Sequence, residues 1–495
     1  MIGGFKGAAS RLALAALLGA AGTVALAHKP AKAADLGGDC CSDLEERVAE
    51  LEATTVRKGN KKVSITLYGK MNRAVLFWDD GAEKNIYSVD NSYESSRFGM
   101  KGSAKISGDW SGGYKIEIET RAASSEAVNQ LDDDNGTRVP GGTLGDEGRL
   151  LLLRHNYFYI DNKNLGQVRL GLTMMPKDDI TKDTDVTELA DTITADNHMN
   201  RGFFLRPKGF NTEVGGPGQL RWQAISQCYS SSSAFDCSTR RNAVTYYSPT
   251  WFGSDGKGLS VSAGYGEDDI WSGAIRYRNS FGLFGGGAGT SKDDPWEVGA
   301  GIGYEKSHDE NQETSGGGLD GFRRDIDEWA GSASIKHRPT GLFAFTAFSF
   351  SDSNDSNRDQ AGAFDHKSSP PMNAWDVRGG IQRGFSWFGL DQLGDTSLFG
   401  GYSEINDGVG GACGATRLCN SGTFPNLFVP TEITGSQVTR WYAGYDQSMV
   451  SGYIHLYGVY QHLTSDVDLK NSSLKKVNEP LDDFDLYYTG ARMYF

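Results

Sequence analysis

The sequence predicts an all-β protein: a transmembrane antiparallel β-barrel of 16 strands, with room for 18, preceded by a short periplasmic coiled-coil helix. Three observations carry this. The chain ends on Phe495, closing a segment from Asp485 in which Tyr487, Thr489, Ala491, Met493 and Phe495 share one face by period-2 alternation. Such a terminal aromatic is what the outer-membrane barrel assembly machinery of Gram-negative bacteria reads. Past the first 33 residues no apolar run nears the ~18 residues a membrane helix needs, so any spanning structure has to be a closed sheet. Gly supplies 65 of 495 residues, close to twice the usual ~7 %, while aromatic residues reach 11 % and Pro only 13 positions. That mixture suits many strands, tight turns and aromatic girdles.

Taken in order, residues 1–33 carry Lys6 and Arg11, then the Ala- and Leu-rich stretch 12–27, then Ala31-Lys32-Ala33. This is the pattern of a secretory signal peptide with a small-x-small cleavage site, so the mature chain is expected to begin at Ala34. Residues 34–60 follow as a short periplasmic segment. Within it Leu44, Val48, Leu51 and Thr55 recur at 4-3-4 spacing behind an N-cap at Ser42, a coiled-coil seam of about two heptads. A helix that short is marginal alone in water. It therefore predicts either a coil formed among chains already held together or a plain amphipathic linker.

From residue 61 to 495 the period becomes 2. Val63, Ile65, Leu67, Gly69 and Met71 alternate with Ser64, Thr66, Tyr68, Lys70 and Asn72, an apolar-out, polar-in wall around water. The second strand sets Phe98, Met100, Gly102, Ala104 and Ile106 against Arg97, Lys101, Ser103 and Lys105; the third sets Tyr114, Ile116, Ile118 and Thr120 against Lys115, Glu117, Glu119 and Arg121. Charges on the inner face would be costly in a dry core, so a wet lumen is expected. Thirteen more strands are legible at 149–160, 167–174, 242–249, 259–266, 270–278, 296–305, 327–337, 342–351, 374–385, 396–405, 436–447, 452–463 and 485–495. The apolar stretches 219–225 and 281–289 account for the option of eighteen. Long polar insertions at 123–148, 175–218, 306–326, 351–373, 406–435 and 464–483 alternate with short turns, the asymmetry of a barrel with two unlike rims.

Loss of the leader removes Lys6, Arg11, Lys29 and Lys32, taking the formal charge from −14 to about −18. No nucleic-acid partner is expected of such a chain, since that binding wants basic patches; acidic loops facing divalent cations, lipid and lipopolysaccharide suit it. Six Cys in an exported chain normally pair. Cys228 with Cys237 and Cys413 with Cys419 have the spacing of loop disulfides, while the adjacent Cys40 and Cys41 suit cross-links between chains.

No metal or cofactor is expected beyond a loose Ca²⁺ contact in acidic loops. Asp132-Asp133-Asp134-Asn135-Gly136 resembles a calcium loop only in part, because alignment on Gly136 puts Leu131 at the first ligand position and Gly142 at the twelfth. The mature His residues are scattered, and neither a Gly-x-Ser-x-Gly elbow nor a phosphate-binding loop occurs. An enzyme is therefore not the reading.

Ser96-Arg97-Phe98-Gly99-Met100-Lys101-Gly102-Ser103 resembles the second strand of general porins, and residues 153–160, the turn through Leu165-Gly166 and Val168-Arg169-Leu170-Gly171 resemble their fourth and fifth strands. Together with the coil and Phe495, these make the chain similar to the porins of alphaproteobacteria. The resemblance implies a homotrimer of sixteen-stranded barrels for passive diffusion of small hydrophilic solutes and ions, each with a third extracellular loop folded inward as the constriction. That loop would fall at 175–218 and carry Asp178, Asp179, Asp183, Asp185, Glu188, Asp191 and Asp196. Facing it, Arg97, Lys101, Lys115, Arg121, Arg154 and Arg169 would form the basic side of a transverse field, unless they pair with wall carboxylates such as Glu117 and Glu119. Two other functions compete. A structural spacer would use the coil, but about fourteen residues at ~1.5 Å each give only ~21 Å; a substrate-specific channel would show an aromatic slide, for which Tyr68, Tyr442 and Tyr457 are too dispersed.

Overall fold

The computed structural model describes residues 63–120, 122–133, 151–195, 198–209, 221–226, 228, 234–238, 240–253, 257–267, 269–281, 294–309, 324–355, 371–384, 393–408, 418–419, 431–470 and 476–495. The leader, the coil with Leu44, Val48 and Leu51, Cys40 and Cys41, Arg121, Asp196, Cys413 and most of the partial calcium loop lie outside the described residues.

Nineteen strands form one antiparallel sheet. In chain order they are β1 (Val63–Asp79), β2 (Lys84–Asp90), β3 (Arg97–Ser107), β4 (Trp110–Thr120), β5 (Leu151–Asn162), β6 (Gly166–Met174), β7 (Arg240–Tyr247), β8 (Gly258–Gly266), β9 (Trp271–Phe281), β10 (Trp296–Asp309), β11 (Arg324–His337), β12 (Leu342–Asp355), β13 (Met372–Gly384), β14 (Leu393–Asn406), β15 (Leu418–Cys419), β16 (Thr431–Met449), β17 (Ile454–Lys470), β18 (Lys476–Pro480) and β19 (Phe484–Tyr494). Three of these, β2, β15 and β18, are short extensions within the long connections; β1 pairs onward to β3, β14 to β16 and β17 to β19. The other sixteen make a closed antiparallel barrel. Each coincides with a strand expected from alternation. The eighteen-strand option fails: Trp222–Ile225 is a 3₁₀ turn buried inside the barrel rather than a wall strand, β9 pairs directly with β10, and of 281–289 only Phe281 lies among the described residues.

Closure joins the first strand to the last. β1 and β19 run in register from Lys70 opposite Tyr494 to Asp79 opposite Asp485. Phe495 completes the seam by donating its N–H to the Gly69 carbonyl at 3.0 Å and accepting from the Gly69 N–H at 2.9 Å. Its ring lies over Gly69, where any Cβ would collide with it. A closed sheet leaves no unpaired edge for lipid to face.

The outer face is apolar along every wall strand, with Leu67, Met71, Phe98, Leu153, Phe158, Ile275, Phe348 and Leu398 among the exposed side chains. An aromatic band follows the rim of long loops: Trp271 against Tyr304 (4.9 Å between ring centroids), Tyr304 against Trp329 (4.6 Å), Trp375 against Tyr402 (5.2 Å), Trp441 against Tyr460 (5.1 Å) and Phe77 against Tyr487 (5.8 Å). Such rings sit at a membrane–water interface because one part of each is apolar and another polar.

The inner face departs from the expected uniform wet wall. From β3 to β9 it is polar and charged. From β12 round to the upper half of β1 it is largely apolar and buried, with Phe343, Phe345, Ile405, Val438, Val459, Leu463, Leu486, Leu76 and Trp78. The reason is a cover. The connection between β6 and β7 folds into the lumen, and its Phe203, Leu205, Trp222, Ile225 and Phe235 pack on those side chains in one cluster.

Candidate functional site: the lumen and its inward loop

The loop leaves β6 at Met175 and follows the inner wall away from its own strand. Lys177 is wholly buried and ion-paired with Glu328 on β11 at 3.2 Å. Arg276 on β9 donates to the carbonyls of Pro176 (2.8 Å) and Asp178 (3.0 Å) and pairs with the Asp183 carboxylate at 2.8 Å. A helical turn, Ile180–Asp183, sets Ile180 between Ala274 and Ala330. Close approach to β10 requires Gly299, because a Cβ there would overlap the Thr184 carbonyl.

Beyond this turn the wall supplies arginines to loop carbonyls. Arg378 on β13 pairs with Asp185 at 2.5 Å and donates to the Ile193 carbonyl at 2.8 Å. Arg440 on β16 donates to the carbonyls of Thr194 and Ala195 (3.1 and 2.6 Å), and Arg492 on β19 to that of Asp191 (2.5 Å). The chain then returns in a second layer: Arg206 pairs with Asp80 at 2.8 Å, Trp222 stacks edge-on to Phe484, and Ser238 donates to Glu305 at 2.8 Å before β7 begins. A disulfide joins Cys228 to Cys237 in this returning arm. The loop is thus longer than the expected 175–218. Its second arm, with few charges in sequence, was legible only as an unplaced apolar stretch.

Opposite the loop, all five described members of the expected basic wall point inward. Lys101 and Arg169 have no carboxylate partner among the described residues: Lys101 sits 5.7 Å from the Tyr68 ring centroid, and Arg169 stacks on Tyr247 (4.0 Å) and Tyr157 (5.3 Å) and donates to Gln167 at 2.6 Å. The other three meet wall acids. Glu117 receives Lys115 at 3.1 Å, Arg154 at 3.2 Å and the Tyr68 hydroxyl at 2.8 Å, and lies 3.6 Å from Arg97; Glu119 pairs with Arg154. A β-bulge in β5 makes this cluster. Opposite Glu117 and Ile118 on β4 stand His155 and Leu153, so Arg154 is the extra residue and reaches the inside beside His155.

The acidic side divides in two. Asp183 and Glu188 are exposed in the lumen, Asp183 half so and Glu188 nearly fully. Asp185 corrects the expectation for the loop: it is completely buried behind the loop against Arg378 and holds the loop down rather than facing solutes. Asp178 is also buried, with one carboxylate oxygen capping the Asp179 N–H at 3.1 Å. Burial, with Asp178, Asp236 and Asp183 close by, pushes the Asp179 carboxyl up to about 8. Burial works the same way on Asp191, but Lys182, Lys70 and Arg492 outweigh it and hold that carboxyl far below the usual range.

Several lumen groups escaped sequence reading. Arg276, Arg278, Arg378, Arg440 and Arg492 all occupy inward positions of expected strands, so period-2 alternation could have found them. Near the rim of short turns, Lys257, Arg278 and Arg338 converge on the single carboxylate Glu297 at 3.0, 3.4 and 3.1 Å. Among the described residues the one grouping of metal-type ligands is Cys228, Cys237 and Glu328, and its two sulfurs are joined to each other.

A closed sixteen-stranded barrel with a lipid-type outer face and a loop folded across a charged lumen defines an outer-membrane channel barrel. The sequence profile of the Gram-negative porin family matches residues 13–469, and the chain belongs to that family. Among solved structures it is similar to the anion-selective porin from Comamonas acidovorans, at 15 % identity over 88 % of this chain and 100 % of that one, with a TM-score of 0.50. It is also similar to Pseudomonas putida OprB at high pH, at 12 % identity over 92 % of this chain and 97 % of that one (TM-score 0.46), and to Salmonella typhi OmpF in complex with daunomycin, at 13 % identity over 87 % of this chain and 97 % of that one (TM-score 0.44). No curated protein matches it.

Proposed function

We propose that this porin is a passive, water-filled channel for small hydrophilic solutes and ions. One observation carries the reading: between the exposed loop acids Asp183 and Glu188 and the wall cations Lys101, Lys115, Arg154 and Arg169, charged side chains of opposite sign line the two sides of the narrowed lumen. A field of this kind favours polar solutes that orient in it and penalises apolar ones that would shed water there. The basic residues of the wall and of the short-turn rim make the charge balance of the path a property of position, with acids concentrated on the loop. Within the family, the alphaproteobacterial branch suits the strand motifs and the coil.

The working form is a homotrimer with its long loops outside the cell and residues 34–60 in the periplasm, after removal of residues 1–33. The apolar outer sector of β3 to β6, with Met100, Leu151, Leu153, Val168 and Leu170 exposed beside Phe98 and Phe158, suits contact with another copy. The remaining outer face meets lipid and, at the long-loop rim, lipopolysaccharide. Phe495 is the signal for the barrel assembly machinery, and Cys413 with Cys419 forms a second loop disulfide. Planar-bilayer recording tests the central claim. The purified protein is expected to give stepwise ion conductance, and bilayers that stay silent where another porin inserts would refute it.

A further inference from the structure

Lys182 lies on the helical turn of the inward loop, and that turn is fastened to one wall. Asp183 pairs with Arg276 on β9, Ile180 is packed between β9 and β11, and the Thr184 carbonyl accepts from Ser334 on β11. Around the ring of sixteen strands β10 lies farthest from β1, with β9 and β11 on either side of it. The Lys182 ammonium nevertheless ends on the far side. It binds the Glu94 carboxylate and lies 2.7 Å from that of Asp191.

Glu94 belongs to the opposite wall, and Asp191, farther along the same loop, is held against that wall. Glu94, buried in the turn between β2 and β3, also receives Lys70 from β1 and Arg97 from β3, the latter at 2.7 Å. Asp191 accepts from the Tyr494 hydroxyl of β19 and lies 4.0 Å from Lys70. The bridge therefore consists of one flexible side chain between two rigid ends, each held by its own arginines. About a third of the Lys182 side chain is exposed, so water reaches the bridge.

We propose, on the basis of the channel reading above, that Lys182 is a cross-lumen strut that sets the exclusion size and part of the charge balance of the pore. With the ammonium in place, a solute cannot pass between the helical turn and the β1/β3 wall. The open path is left on the side of Lys115, Arg154 and Arg169. Removing only the ammonium leaves the loop anchored by Arg276, Arg378 and Arg440. It clears the gap and removes one positive charge from it.

The test compares the full-length wild type with Lys182→Met, which keeps an unbranched stem one atom shorter without the ammonium, and Lys182→Arg, which can still span the gap. Lys182→Met is expected to raise single-channel conductance by a factor of roughly 1.5 or more, in keeping with control by pore width. It should also admit larger neutral sugars in liposome swelling and move the reversal potential in a salt gradient toward cation preference. Lys182→Arg should stay near wild type. A Lys182→Met protein with wild-type conductance and sugar cut-off, or a Lys182→Arg protein opened to the same extent, overturns the strut. A second measurement does not depend on conduction: carbodiimide treatment of the folded wild type should join Lys182 to Glu94 or Asp191 by an isopeptide bond, found by peptide mapping. Absence of that link where Lys257 and Glu297 are joined overturns the proposal. A silent wild type would refute the channel reading alone, and the cross-link would still decide whether the strut exists.

Discussion

The lumen has two unlike halves. On β3 to β9 the inward residues are mostly polar or charged and many meet water or one another; on β12 to β19 and upper β1 they are mostly apolar or pinned arginines under a two-layered loop. Both halves are built from the same alternation and the same outward apolar face. What separates them is what stands opposite the inner face. Charged side chains left facing water need no partner, whereas Phe343, Leu463 and Trp78 would expose apolar area unless something covers them. The loop supplies that cover and gains its own fixed path in return.

The comparison can be broken hardest at the buried ion pair. Asp185→Ala removes the ion-pair partner of the buried Arg378 guanidinium, a loss expected at about 3–5 kcal/mol for a buried pair stripped of one partner. The barrel should persist while residues 175–195 become labile, read as protease cleavage or hydrogen exchange confined to the loop. Full protection in the variant would mean that the loop does not depend on this anchor. Trp222→Ala acts on the second layer, where loss of a fully buried indole costs about 3–5 kcal/mol if the cavity does not collapse. The same exchange measurement should now report on 203–238, with the charged half unchanged.

Breaking the Cys228–Cys237 link is milder, about 2–3 kcal/mol for a short closed loop. The strand ladder carries barrel stability, so a Cys228→Ser, Cys237→Ser protein should keep its heat-resistant form on gels and lose only protection in the returning arm. Neutralising the two exposed loop acids, Asp183→Asn with Glu188→Gln, should lower cation over anion permeability, because charges in a confined site interact more strongly than in bulk water. An unchanged reversal potential would place this part of the loop outside the conducting path.

The smallest expected effect is a titration. Asp179, raised to about 8, is neutral below that pH and anionic above it. Raising pH from 6 to 9 should therefore add negative charge at the loop and shift the reversal potential toward cations. In Asp179→Asn that shift should vanish, and its persistence would assign the titration elsewhere. Asp191 contributes nothing in this window, since Lys182, Lys70 and Arg492 keep it ionised well below it.

The sequence by itself determined the wall. Alternation places each side chain inside or outside, and lipid outside with water inside makes the two faces chemically distinct, so strand positions such as 167–174 and 342–351 and inward Arg97 and Arg169 were readable one strand at a time. It also marked the loop, through seven acids between Asp178 and Asp196. The loop's path belongs to tertiary structure. Asp183, Asp185 and Asp191 are the same residue type within nine positions, yet one faces the lumen, one is buried against Arg378 and one receives Lys182, because arginines from β9, β13 and β19 meet them. Those partners lie about a hundred to three hundred residues away in the chain, and only closure of the barrel brings them into reach. The same closure decided which half of the inner face stays wet, since alternation records the direction of a side chain but not what comes to cover it.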